Sequence, residues 1–274
     1  MKNKISRRRA IRRTATVSAA MLAMSKFVET TRAADRNGRI NHSVCRWCYN
    51  QIPLEKLCQA SKEMGIQSVE LQGPREWPIM QKYGLTCAMA NGAGMGIERG
   101  WNRPELHEKL IESYTEVIPQ VAKAGLKNLI CFSGNRGGLD DEQGIRNCAQ
   151  GLKKLMPVAE KHNVVIVMEL LNSKVDHKDY QCDHTVWGVE LCKVIDSENF
   201  KLLYDIYHMQ IMEGDVIRTI NSFHPYIAHY HTGGVPGRHE IDETQELNYK
   251  PIMEAIIKTG FKGHVAQEFI PARP

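Results

Sequence analysis

Val164-Val165-Ile166-Val167-Met168 is an unbroken apolar run, too short to cross a bilayer and without polar alternation. Such a strand is stable only where both faces of its sheet are covered, as in parallel sheets packed against helices. Seven further strand-like runs lie at 40–44, 68–71, 85–90, 128–132, 201–205, 227–231 and 264–269. Each but the last is followed by a segment with helical spacing. The longest opens at Pro104, a first-turn position where the missing N–H of proline costs least, and carries Leu110, Ile111, Tyr114, Val117, Ile118 and Val121 at helical intervals. Eight strand-like runs alternating with helical segments predict an α/β chain folded as a parallel (β/α)8 TIM barrel over 35–274, a single catalytic domain. A doubly wound sheet would need a phosphate loop after its first strand. The stretch Asn91-Gly92-Ala93-Gly94-Met95-Gly96 lacks GxGxxG spacing and reads as a flexible loop.

The net charge of +5 is unevenly placed. Residues 1–34 hold nine Lys or Arg against Glu29 alone, which leaves 35–274 with 27 basic and 30 acidic residues and a net of −3. The body therefore has no bulk attraction for phosphate backbones, and no nucleic-acid partner is expected. Ser6-Arg7-Arg8-Arg9-Ala10-Ile11-Arg12 resembles a twin-arginine export signal. An Ala-rich stretch follows, then a small-residue cleavage point at Ala33-Ala34, so 1–34 reads as a signal peptide and the mature protein as periplasmic. No stretch of the mature chain reaches the ~18–20 apolar residues of a membrane span. The eight cysteines, among them the Cys45–Cys48 pair, read as buried thiols rather than as a disulfide framework or a zinc site.

In a barrel of this kind the C-terminal strand ends build the active face. Four of these ends carry ionisable residues directly after an apolar run: Glu169, Asp205, His231 and Glu268. Three carboxylates crowded together repel one another unless a cation neutralises them. Oxygen donors with one imidazole suit a divalent ion (Mn, Mg or Co) better than a closed structural zinc site.

Several segments then carry a family resemblance: Ile97-Glu98-Arg99-Gly100, Met168-Glu169-Leu170-Leu171-Asn172, Tyr204-Asp205-Ile206-Tyr207-His208-Met209-Gln210, Val235-Pro236-Gly237-Arg238-His239-Glu240, Glu246-Leu247-Asn248-Tyr249 and Gln267-Glu268-Phe269. Across 40–270 the chain resembles hydroxypyruvate isomerases within the xylose isomerase-like barrel superfamily, which also contains ketose 3-epimerases. The resemblance implies that Glu169, Asp205, His231 and Glu268 bind the metal. It also implies that Glu169 and Glu268 are the catalytic proton-transferring pair, and that His208, Arg238 and Asn172 contact substrate. His231 stands where hydroxypyruvate isomerases usually carry Gln and ketose 3-epimerases carry His. Trp47 and Trp101 read as packing residues before any role at a sugar face.

The implied reaction is a metal-dependent isomerisation of a small-molecule sugar or hydroxy-keto acid through an enediolate. The alternative is a ketose 3-epimerase on the same site. An endonuclease IV-like nuclease would need more metal-binding histidines and a basic surface, and a non-catalytic carbohydrate-binding protein would be expected to lose one of the two glutamates. A homo-oligomer is compatible with the sequence.

Overall fold

The structure of the protein, a computed structural model, describes residues 38–273. The basic leader and its boundary at residue 34 lie outside the described residues. Seven strands run parallel: β1 (Asn41–Cys45), β2 (Ser68–Glu70), β3 (Asn128–Cys131), β4 (Val165–Glu169), β5 (Phe200–Asp205), β6 (Ile227–Thr232) and β7 (His264–Gln267). Their order in the sheet is β2-β1-β7-β6-β5-β4-β3.

The ring closes through the stretch 85–90, expected as a strand. It is not a regular one, although it bridges Ser68 and Gln72 on one side and Leu129 on the other. Val69 N donates to Thr86 O and Leu71 N to Met89 O, while Ala90 N donates to Asn128 O. The departure has a local cause, because side chains take over part of the ladder. Ser68 Oγ accepts the Ala88 N–H at 2.8 Å, and Asn128 Nδ2 donates to Ala88 O at 3.0 Å. The eight-position barrel is thus present with one irregular position.

Helices Leu54–Met64, Trp77–Lys82, His107–Lys123, Asp141–Lys161, Thr185–Ile195, Val216–Phe223 and Tyr249–Lys258 follow the predicted segments closely. Pro104 starts a short 3-10 turn, Pro104–Leu106, and the α-helix begins at His107. A further helix, Ile206–Met212, follows β5 at once. Every residue of β4 is buried. Ile166 and Met168 join the core between sheet and helices, while Val165 and Val167 pack inside the barrel with Ile130, Leu203 and Met89. Each such side chain contributes about 1.5–3 kcal/mol of burial. All eight cysteines are buried as free thiols.

Candidate metal centre

Strand alternation decides what the barrel interior contains. With Val165 and Val167 inside, the period of two also turns Glu169 inward, and the same rule turns Asp205, His229, His231 and Glu70 inward from their strands. Glu268 directly follows β7, its N–H held by Thr232 O of β6 at 2.9 Å. The four strand-end residues converge: one ligand atom from each of Glu169, Asp205, His231 and Glu268 lies within 4.8 Å of the others, and all four residues are buried. His231 Nδ1 lies 2.5 Å from Glu268 Oε2, 3.4 Å from Glu169 Oε1 and 3.9 Å from Asp205 Oδ2.

Asp205 has a second task. It caps helix Ile206–Met212, its Oδ1 accepting the His208 N–H at 3.2 Å, while Oδ2 accepts from Arg238 Nη2 at 2.8 Å. Glu268 is the most engaged of the carboxylates. Trp47 Nε1 donates to Oε1, and Arg238 Nη2 donates to Oε2, each at 2.5 Å. The Glu169 carboxylate faces His231 Nδ1 and the cavity.

The charges do not balance within the chain. Burial raises the Asp205 carboxyl to about 7, with Glu268 and Glu169 adding to the effect against Arg238. Burial opposes ionisation of Glu268 too, but Arg238 and His231 outweigh it and hold that group well below the usual carboxylate range. One arginine among three buried carboxylates leaves a shortage of positive charge, which a proton on His231, whose pKa, against burial, Cys45 and Glu268 raise well above its ordinary value, makes up only in part. His231 Nδ1, wholly buried, has no hydrogen-bond partner of good geometry. A divalent cation fits both observations, and Glu169, Asp205, His231 and Glu268 are the residues that would hold it.

The three expected substrate contacts are placed differently from one another. Arg238 lines the cavity, but its guanidinium is committed: besides Asp205 and Glu268 Oε2, its Nε donates to Glu268 O at 3.1 Å, and it lies over the rings of Trp47 and Tyr207. Asn172 is wholly buried and holds another residue in place. Its Oδ1 accepts the N–H groups of Val175 and Asp176, which fixes the amide so that Nδ2 donates to His208 Nδ1 at 2.7 Å. His208 is buried beneath it, its Nε2 3.0 Å from Arg238 Nη1, a group that can only donate, and 3.8 Å from Asp205 Oδ2. Burial first, then Arg238, holds this imidazole well below its ordinary pKa, hence neutral.

Above Glu169 and Glu268 opens a cavity of about 550 Å³ whose walls include Trp47, Leu71, Ile97, Phe132, Tyr207 and Ile270. Trp101 is core, as expected, packed against Tyr114. Trp47 is not merely packing, since it lines the cavity and donates to Glu268. Sequence reasoning missed Glu70 and His229. Their signal was present, an acid inside the 68–71 run and a histidine two residues before His231, but each alone resembles an ordinary buried polar group.

The family described as a xylose isomerase-like TIM barrel matches residues 58–273. A 2-oxo-tetronate isomerase of Haemophilus influenzae is 24% identical over 238 residues, covering 81% of this chain and 90% of its own. A putative hydroxypyruvate isomerase of Danio rerio is 28% identical over 257 residues, covering 94% and 89%. Among solved structures, an AP endonuclease of family 2 from Brucella melitensis superposes with a TM-score of 0.75 at 23% identity, covering 85% of this chain and 94% of that one. At that identity the superposition speaks for the fold alone.

Proposed function

We propose that this chain, which belongs to the xylose isomerase-like TIM barrel family, is a metal-dependent isomerase of small α-hydroxy carbonyl compounds, of the hydroxypyruvate/tartronate semialdehyde type. The observation that carries this reading is the presence of two buried glutamates, Glu169 and Glu268, beside one histidine and one aspartate at the floor of a single cavity. The names of the curated relatives agree with an isomerase. A divalent ion, when bound by the four residues, supplies Lewis-acid polarisation of a carbonyl and its neighbouring hydroxyl. The chain does the proton work. Glu268, held ionised by Arg238 and His231, is placed to take the α-proton, and Glu169 to return one, giving an enediolate between the two transfers. His208, buried and neutral, holds the Arg238 guanidinium in place through Nε2, and the apolar walls keep water from quenching the enediolate.

A ketose 3-epimerase is the second reading, and two observations favour it. The cavity is far larger than a three-carbon acid needs. Among the described residues the only Arg or Lys that lines it, Arg238, is already paired with Asp205 and Glu268 rather than free for a substrate carboxylate. The leader supports an exported, periplasmic enzyme under either reading. The test is metal analysis of the purified protein followed by solvent-deuterium incorporation across hydroxypyruvate, other small α-hydroxy carbonyls and a set of ketoses. Exchange with hydroxypyruvate supports the first reading and exchange confined to ketoses the second. Absence of exchange with every compound in the metal-loaded protein defeats both.

A further inference from the structure

We propose that Glu70 is the positioning residue of the metal centre: it fixes the tautomer of His231 so that Nδ1 presents a lone pair to the ion site. The inference rests on the metal-dependent reading above and adds to it a residue outside the four ligands.

Glu70 ends β2, on the far side of the barrel interior from β6, and is wholly buried. Its Oε1 lies 2.8 Å from His229 Nε2 and 2.8 Å from His231 Nε2. The two rings meet it nearly at right angles, 83° apart, with centroids 5.2 Å from each other. A carboxylate oxygen accepts hydrogen bonds, so both rings donate to Glu70 and each carries a proton on Nε2.

For His231 the consequence is chemical. The nitrogen left to give its lone pair to an ion is Nδ1, the atom facing Glu268, Glu169 and Asp205. A lone pair turned toward three carboxylates is unfavourable without a cation between them. The other tautomer would place a proton on Nδ1 against Glu268 Oε2, and that proton would compete with an ion for the same space. By binding Nε2–H, Glu70 disfavours that competitor. A carboxylate bonded to the remote nitrogen of a ligating imidazole also raises its basicity, and loss of such a partner typically costs ~10–100-fold in metal affinity.

His229 explains why one carboxylate is enough. It donates to the same oxygen, so the buried charge is shared between two N–H groups. Cys45 Sγ lies 3.8 Å from both Glu70 Oε1 and His231 Nε2, too far for a strong competing bond.

Two measurements on the full chain test the proposal. Glu70→Gln keeps the volume and an acceptor oxygen but removes the charge. Mn²⁺ affinity, read by electron paramagnetic resonance of the free ion, should fall by ~10–100-fold. The melting temperature of the metal-free variant should change much less than its affinity. Wild-type-like Mn²⁺ binding by a folded Glu70→Gln variant overturns the proposal. Should that variant not fold, ¹⁵N-histidine spectra of the wild-type protein loaded with Zn²⁺, a diamagnetic stand-in, decide the matter. His231, assigned by its absence from the His231→Gln spectrum, should show a protonated Nε2 and a coordinated Nδ1, and a protonated Nδ1 refutes the assignment. A wild-type chain that takes up no Mn²⁺ defeats the metal-dependent reading itself, a result distinct from normal wild-type binding with an indifferent variant.

Discussion

Glu169 and Glu268 are the same residue type in the same cavity, yet their surroundings differ. Glu268 accepts from Trp47 and Arg238 and lies 2.5 Å from His231 Nδ1, whereas Glu169 keeps an open face toward the cavity beside its longer approach to His231. Replacing either by Gln preserves volume and one oxygen donor but removes the basicity that proton transfer requires. Turnover should fall by ~10²–10⁴ in each, with much smaller loss of metal. Solvent-deuterium exchange at the substrate α-carbon reads the step directly. Near-normal exchange in metal-loaded Glu268→Gln would reduce Glu268 to a ligand and leave Glu169 as the sole proton carrier.

At the level of elements, the active face is built by strand ends and by the loops that lean on them. The loop before Pro104 runs along the chain after β3: Trp101 N donates to Phe132 O and Asn102 N to Ser133 O at 2.8 Å. Gly100 sits where this approach is tightest, and a Cβ there would meet Phe132 O and Gly134 N, both backbone atoms, inside any normal contact distance. Neither can rotate away. Gly100→Ala should therefore cost about 3 kcal/mol, the upper end of ordinary overpacking. For a chain of this size that lowers the melting temperature by roughly 6–12 °C. A calorimetric scan with an unchanged transition would show that the loop shifts freely and does not brace the cavity wall. Much of this level was legible in the sequence, because apolar runs and helical spacing report directly on local geometry. The irregular stretch 85–90 was not, since its ladder is replaced by Ser68 and Asn128 side chains from other strands.

For the whole molecule, an ion bound among the unbalanced carboxylates should add to the stability of the fold. A ligand present at a hundredfold its dissociation constant stabilises the folded state by about 2.7 kcal/mol. Chelation should therefore lower the melting temperature by roughly 5–10 °C, restored on adding back Mn²⁺. A melt indifferent to both treatments would mean that Arg238 and protonated Asp205 already balance the site. The leader is tested separately: with Arg7 and Arg8 both replaced by Lys, the protein should stay in the cytoplasm at undiminished total level. Continued export of that double variant would show that residues 1–34 are not read by the twin-arginine route.

The sequence by itself determined the alternation of strands and helices, and with it the barrel. It also determined the positions of Glu169, Asp205, His231 and Glu268. An ionisable residue ending an apolar strand has its face set by the period of two and its level set by the strand end, both local properties. Only the tertiary structure decided which groups meet across the ring. Glu70 and His231 are 161 residues apart and touch because β2 and β6 line one interior. Arg238 is bound to Asp205 and Glu268, Asn172 serves His208 rather than the cavity, and Trp47 reaches Glu268 from the first turn after β1. Such pairings depend on ring closure and on side-chain directions accumulated over the whole chain, which no local spacing encodes.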